Sequence, residues 1–453
     1  MHGLGWAGRI IPMPFLGVRA SRMSRSGRFA DEEIGSPRPH RRGIGRILGP
    51  PDPGADEDEI QEKLAEILDL IIHKGNTHPG LKILREEFER SGREEYACWV
   101  AVFSNKRGEE PTWFQKALAV APGYVPARYG LARHLYGSGE GSKALAELDL
   151  LISVRPDFVP ALALRAYAKA SLRDLPGAMK DAGEAVRLDP EYPLAHMAMA
   201  DFTFQSGSAD VALKHLERTL EFCPSIADAY ELRARILESH GRLQEAESDY
   251  SRFLELHPKC ADGYYGRGRL RWRMEHHREA LEDLDEAIRL SSDRAEMYSD
   301  RGMVKERLGK TQEAIADFTE AIRRKPGLTQ AHYNRGSSYL RLQKYKEALV
   351  DLDRSAQLDG GVAIVYLNRG IVRSALSDSD GALQDFSKAL ELQPGSPDAY
   401  LNRGDERRLR REHPFAILDF LLCLRHAPVD WVGRPSARRG VFLSCAAIVK
   451  LMM

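Results

Sequence analysis

Chemistry needs particular residues at particular spacings, and the first candidates in this chain are loops and clusters that resemble working motifs. The segment GSGEGSKA at 137–144 has the glycines and lysine of a phosphate-binding loop. Such a loop needs Gly-x-x-x-x-Gly-Lys-Ser/Thr after a strand, so that backbone amides surround the phosphate and the lysine reaches it. Here Ser142 separates Gly141 from Lys143, Ala144 follows, and the sequence before it does not read as a strand. GIGRILG at 43–49 has close glycines but neither a strand nor a helix to hold them. The 14 histidines include His276 and His277, yet none forms His-Glu-x-x-His or pairs with cysteine at zinc spacing, and most read as solvated. Five cysteines (Cys98, Cys223, Cys260, Cys423 and Cys445) make no Cys-x-x-Cys pair, and an odd count gives no disulfide framework. They read as small apolar groups in a reducing compartment, which favours a cytoplasmic protein. No nucleophile elbow or kinase catalytic triplet occurs. The sequence therefore predicts a chain that is not an enzyme and takes no cofactor or metal.

Function must then come from the elements themselves. With 453 residues, 43% of them hydrophobic, the chain can bury a sizeable core, and no stretch approaches the ~20 apolar residues that span a bilayer. Sixty-six basic residues balance 66 acidic ones, which argues against a general polyanion binder. Residues 1–50 hold nine Arg against three acids and show no apolar period, so 1–55 reads as a disordered basic leader. Import or export is the weaker reading of it, because Pro12 and Pro14 interrupt the apolar run Ile10–Leu16. In 56–124 the apolar spacing predicts helices at about 57–73 and 79–90, followed by a degenerate unit at 91–124. The tail 431–453 predicts a final helix capping what precedes it.

The middle is periodic. Blocks of 34 residues starting at Val125, Val159, Pro193, Ala227, Ala261, Ala295, Thr329, Ala363 and Pro397 align through Asp430 without an insertion. Position 20 is Ala in all nine, from Ala144 to Ala416; position 8 is Ala or Gly, from Ala132 to Gly404. Position 32 is Pro in seven, with Ser292 and Gly360 the exceptions. Small residues at 8 and 20 let two helix backbones approach, and the Pro stops the second helix. Cys98, Ala117 and Pro122 carry the same pattern into 91–124, though Glu110 stands where Ala should.

Small at 8, Ala at 20, aromatic or aliphatic at 24 (Tyr250, Phe318, Phe386, Phe420) and Pro at 32 resemble the tetratricopeptide repeat family over 125–430. The resemblance implies an all-α fold, an α-solenoid of stacked antiparallel helix pairs coiled into a right-handed superhelix. It also implies that positions 2, 5, 9, 12 and 13 of each first helix line a concave groove for a partner protein. Those positions supply Tyr129, Arg133 and Tyr136, then Met197, Asp201 and Phe204, with the densest set Tyr265, Arg269, Trp272 and Arg273. Arg235, Arg307, Tyr333 and Arg341 flank it, among acids such as Glu231, Glu238, Glu296 and Glu306. An exposed Trp272 beside arginines suits an acidic or aromatic peptide. The family's carboxylate clamp for chaperone tails needs Lys at 5 and 2 and Asn at 9, which no repeat has, although Asn334, Asn368 and Asn402 occupy position 6.

One pattern lies beyond the family signature. Position 7 is Arg in seven repeats (Arg165, Arg233, Arg267, Arg301, Arg335, Arg369, Arg403), and the same seven have Asp at 23 (Asp181, Asp249, Asp283, Asp317, Asp351, Asp385, Asp419). The other two pair Leu131 with Glu147 and Met199 with His215. Both positions are equidistant from the inter-helix turn, so they predict an Arg–Asp ladder, each Asp shared with the next repeat's Arg. Stoichiometric, self-neutralising pairs point to a structural ladder that fixes register. The functional reading is a protein-interaction scaffold for an extended peptide or partner helix. The alternatives are a structural or oligomerising repeat protein and a nucleic-acid-associated one, the last opposed by 44 basic against 48 acidic residues in the nine repeats.

Overall fold

The computed structural model describes residues 77–103 and 110–452, together with Leu64 and Ile67. Among these residues every regular element is a helix. The basic leader and most of the helix expected at 57–73 lie outside the described residues; Leu64 and Ile67 of that helix are helical and buried against Leu81 and Leu84. Among the described residues, α1 (Thr77–Ser91), α2 (Glu94–Phe103) and α3 (Glu110–Val120) also precede the repeats. The helix expected at 79–90 is α1, and α2 and α3 fall within 91–124.

Each repeat then places its A helix on positions 1–13 and its B helix on positions 17–30, without exception. The pairs are α4 (Val125–Gly137) with α5 (Gly141–Val154), α6 (Val159–Ser171) with α7 (Leu175–Leu188), and α8 (Pro193–Gln205) with α9 (Ala209–Phe222). Next come α10 (Ala227–Ser239) with α11 (Leu243–Leu256), α12 (Ala261–Arg273) with α13 (His277–Leu290), and α14 (Ala295–Arg307) with α15 (Thr311–Arg324). The last are α16 (Thr329–Arg341) with α17 (Tyr345–Leu358), α18 (Ala363–Ala375) with α19 (Ser379–Leu392), and α20 (Pro397–Leu409) with α21 (His413–His426). A final helix, α22 (Arg434–Met452), packs on α20 and α21.

The turn between A and B is fixed by one backbone conformation. Position 15 has positive φ in all nine repeats, between 57° and 88°, on Gly139, Gly207, Gly241 and Gly309 and on the non-glycines Arg173, Glu275, Gln343, Ser377 and Arg411. A left-handed residue after a helix lets the chain reverse while satisfying the last carbonyls, and glycine adopts it without the side-chain clash that other residues carry. The five non-glycines hold it because the paired helices over-determine the turn.

Within each pair the small residues set the spacing. Alanine at position 20 is fully buried in all nine repeats. Where position 24 is Phe, position 8 must be Gly: a Cβ on Gly302, Gly370 or Gly404 would sit 2.6–2.8 Å from the ring of Phe318, Phe386 or Phe420. The described chain divides into two compact units, one ending at Ala229 and one beginning at Tyr230. Inside each unit successive helices pack in chain order, and A helices of consecutive repeats also touch one another. The A helices therefore form a continuous row within each unit.

Candidate functional site

The most regular side-chain chemistry is the set of rungs between positions 7 and 23. In all seven repeats that carry both residues, Nε and Nη2 of the arginine donate to the carboxylate of the aspartate at 2.6–3.3 Å. Every one of these carboxylates is buried. The guanidinium fork fits a carboxylate through two parallel bonds, which fixes geometry as well as charge. In five rungs a tyrosine at position 4 lies under the guanidinium at 5.1–5.7 Å.

The expected sharing of each Asp with the next repeat's Arg is corrected by the structure. Sharing runs through the guanidinium: Nη1 reaches back to position 25 of the preceding B helix, onto Asp149, Ser251, Asp285, Thr319, Asp353 and Ser387 at 2.7–3.2 Å. The second cation on the Asp comes from its own repeat, at position 11: Lys169, Arg271, Lys305, Arg373 and Arg407, at 2.8–3.1 Å. Position 23 sits nearer the turn than the next repeat's position 7 can reach, and one further helical turn along its own A helix brings position 11 over it.

In the first unit the expected groove residues are largely packed. Tyr129 is wedged edge-on against Phe158 at 5.6 Å, and burial pushes its hydroxyl up to about 12. Tyr136 is half-buried and its hydroxyl is pushed up by burial and then by Asp201. Arg133 and Phe204 are half-buried on the same row. In the third repeat, His196 and His215 face each other, Nδ1 to Nδ1 at 3.0 Å, with His196 Nε2 2.9 Å from the Pro190 carbonyl. That carbonyl requires a proton on His196 Nε2, so His215 Nδ1 is the donor of the pair when both rings are neutral. His196 is buried, as are His332 and His413, so these three are not the solvated histidines expected.

The second unit holds the denser row. Tyr265 donates to Asp300 at 2.7 Å, across to the next A helix, and its ring is faced by Arg294 at 4.9 Å and Arg269 at 5.7 Å. Burial raises the Asp300 carboxyl above its usual range, opposed by the Tyr265 hydroxyl and Arg269. Two repeats on, Asn368 donates to the hydroxyl of Tyr333 at 3.4 Å and to Ser337 at 3.2 Å, again across to a neighbouring A helix. Arg273 is held by Glu238 at 2.7 Å, Arg341 approaches Glu306 at 3.5 Å, and Arg269 lies 3.8 Å from Asp300. Arg235 and Arg307 are exposed. The exposed Trp272 expected here is instead half-buried, its ring 4.8 Å from that of His277 and packed beside Leu284 and Val304.

Asp300 was not singled out by sequence, although it precedes Asn334, Asn368 and Asn402 at position 6. Asn334 accepts from Gln330 and its Nδ2 has no acceptor; Asn402 donates to the Asp398 carbonyl of its own helix. The phosphate-loop lookalike is the A–B turn of the first repeat, with Gly139 in the left-handed conformation. Cys98 and Cys423 are buried, and burial pushes their thiols up to about 12 and about 11. Among the described residues no three His, Cys, Asp or Glu side chains are grouped to hold a metal ion. No described helix is long and apolar enough to cross a membrane.

Comparison with known proteins follows the same lines. One tetratricopeptide repeat model matches residues 198–261, 231–295, 265–329 and 299–363, and a second matches 114–172. Two Arabidopsis thaliana proteins are similar over a short stretch. The TPR repeat-containing thioredoxin TTL4 is 38% identical over 109 residues, and the inactive TPR repeat-containing thioredoxin TTL3 is 35% identical over 112. These alignments cover 24% and 25% of this chain and only 16% of each relative. Among solved structures, YrrB, titled a TPR protein with an unusual peptide-binding site, aligns with a TM-score of 0.37 and 24% identity over 41% of this chain and 95% of its own. Yeast Tom70 aligns with a TM-score of 0.36 and 15% identity over 88% of this chain and 97% of its own. With nine in-register units, each an observed helix pair, and family models matching along them, the chain belongs to the tetratricopeptide repeat family.

Proposed function

We propose that this chain is a non-enzymatic scaffold that binds an extended peptide along the A-helix row of its fifth to eighth repeats. The repeat architecture is in general that of a protein-interaction scaffold, and a row of stacked helices suits a long ligand better than a small molecule. The observation that carries the finer reading is the pair of braced tyrosines. Tyr265 and Tyr333 stand two repeats apart, each tied through its hydroxyl to position 6 of the following A helix, Asp300 and Asn368. An aromatic held in place before binding loses little rotamer freedom on contact, which is what an interface anchor requires.

Charge narrows the ligand. Arg269, Arg273 and Arg341 already have acidic neighbours, whereas Arg235 and Arg307 are exposed with no acidic partner among the described residues. Arg307 lies on the repeat between the two tyrosines. The ligand is therefore a peptide with an acidic side chain between two contacts to aromatic rings.

Displayed peptide libraries selected on the full chain test this. Selected peptides are expected to share an acidic residue and to lose about tenfold in affinity on Arg307→Glu, and similarly on Tyr333→Ala. Peptides that bind both variants as well as the parent, or a selection that enriches nothing, would overturn the assignment.

A further inference from the structure

The ninth repeat breaks a surface rule that its eight predecessors keep. Positions 19, 22 and 25 lie on the outward side of the B helix. In the first eight repeats they hold at most one large apolar residue per repeat, Val211 or Val350, the rest being charged, polar or small. In α21 they are Phe415, Leu418 and Leu421, exposed by 58%, 52% and 51%. Helix α22 continues the departure. It buries Ala437, Gly440 and Ser444 on its inner side and leaves Phe442 and Val449 exposed by 71% and 56%.

The charge around these side chains is predominantly basic. Helix α22 contains Arg434, Arg438, Arg439 and Lys450 and no acid. Arg434 is occupied in capping α21, donating to the carbonyls of Leu424, Ala427 and Pro428. Arg425, Arg438, Arg439 and Lys450 are exposed, with no acidic partner among the described residues. Of the acids on α20, α21 and the segment that follows, Asp419 is buried in its rung, Glu406 accepts from Ser374, Asp405 pairs with Arg408 and Glu412 with Arg410, leaving Asp398 and Asp430. From residue 410 onward there are seven Lys and Arg against three acids, whereas the nine repeats together carry 44 against 48.

A second copy meeting this surface face to face would set cation against cation at close range. An anionic bilayer reverses that sign. Phe and Val side chains enter the acyl boundary while neighbouring guanidinium and ammonium groups meet lipid phosphates, the composition of helices that lie in a membrane interface. We propose that α21 and α22 dock this end of the second unit on the surface of an anionic lipid bilayer, lying on the membrane without crossing it. The proposal is independent of the peptide-binding reading, since no residue of the tyrosine row takes part.

Flotation of the full chain with phosphatidylcholine vesicles, with and without phosphatidylglycerol, is the test. Binding is expected only with phosphatidylglycerol and is expected to weaken as salt rises. Arg438→Glu with Arg439→Glu should reduce partitioning at least roughly tenfold, and Phe442→Asp by a similar factor. Val350→Asp, at an exposed site of the seventh repeat, should float like the parent, as should Tyr333→Ala. Absence of flotation, or equal flotation of the double arginine variant, would overturn the proposal. So would a dimer in sedimentation that Phe442→Asp dissolves without any vesicle binding, since that assigns the surface to a second copy.

Discussion

Seven repeats join positions 7 and 23 by an arginine fork, and two do not; the two show what the position demands. In the first repeat position 7 is Leu131, and Glu147 at 23 takes its cation from Arg128 at position 4, at 2.6 Å. In the third, Met199 leaves His215 to bond His196, again at position 4. The seventh repeat has both solutions, with His332 at position 4 lying 3.3 Å from an Asp351 that Arg335 already holds. Position 23 therefore carries a polar group in every repeat, and either 7 or the residue one turn before it satisfies that group. A buried polar atom left alone is costly, which is why the partner moves but does not vanish.

The largest expected effect comes from leaving a rung half-made. Asp317→Ala leaves Arg301 with only Asp285 and Lys305 with only Glu313, 3.9 Å away, though both cations are mostly buried, and should destabilise the chain by about 3 kcal/mol in urea melts. Replacing Asp317, Arg301 and Lys305 together by Leu, Met and Met should cost clearly less. A triple variant as unstable as the single one would show that the rung stabilises by itself and is not chiefly a device for register.

Next comes the packing that both kinds of repeat share. Ala280 is fully buried, with its carbonyl only 3.3 Å from where a Cβ on Gly268 would stand. Ala280→Leu should cost roughly 1–3 kcal/mol through overpacking. The same substitution at Ala212, in a repeat without a rung, should cost as much, because the small-residue contact is independent of the rung. A marked difference in melting between the two would couple what the structure keeps separate.

The smallest effect separates the two polar solutions by pH. Burial, and then His196, lowers the pKa of His215 below the ordinary 6.5. The unfolded chain thus binds a proton that the folded chain refuses, so this contribution is complete above pH 6.5 and is lost as pH falls through the lowered folded value. Met199→Arg with His215→Asp should install a rung, change neutral-pH stability by about 1 kcal/mol or less, and remove that acid sensitivity. Melts of parent and variant at neutral and mildly acidic pH check it; parallel curves would mean that His215 does not contribute in this window.

The 34-residue period made the repeating helix pair and the turn between its arms legible, because Ala at 20 and a small residue at 8 act locally and identically in each unit, and Pro at 32 does so in seven of them. The same register put Arg301 level with Asp317. It did not reveal the backward reach of Nη1, because position 25 has no constant residue type: Asp, Ser and Thr accept the bond in six repeats, while Gly183, Glu217 and Leu421 stand there in the others. Nor did it reveal Asp300, whose role depends on a tyrosine 35 residues earlier meeting it across two helices. Trp272 shows the opposite limit: its position suggested exposure, but the short turn brings His277 onto its ring. The apolar outer face of α21 was open to inspection in the repeat alignment, and only the exposure of Phe415, Leu418 and Leu421 gives it meaning.

The unbroken register also bears on how such a chain can change length over generations. Removing residues 295–328 would join the fifth repeat to the seventh with both turns intact. Arg335, which now reaches back to Thr319, would meet Asp285 in the equivalent place, an acceptor that Arg301 already uses. Copying any of the fourth to eighth units would leave each fork facing a hydroxyl or carboxylate in the same way, through Ser251, Asp285, Thr319, Asp353 or Ser387. Gain or loss of whole repeats within that stretch therefore conserves the joints between them, while a deletion of any other length puts every later arginine out of step with its acceptor.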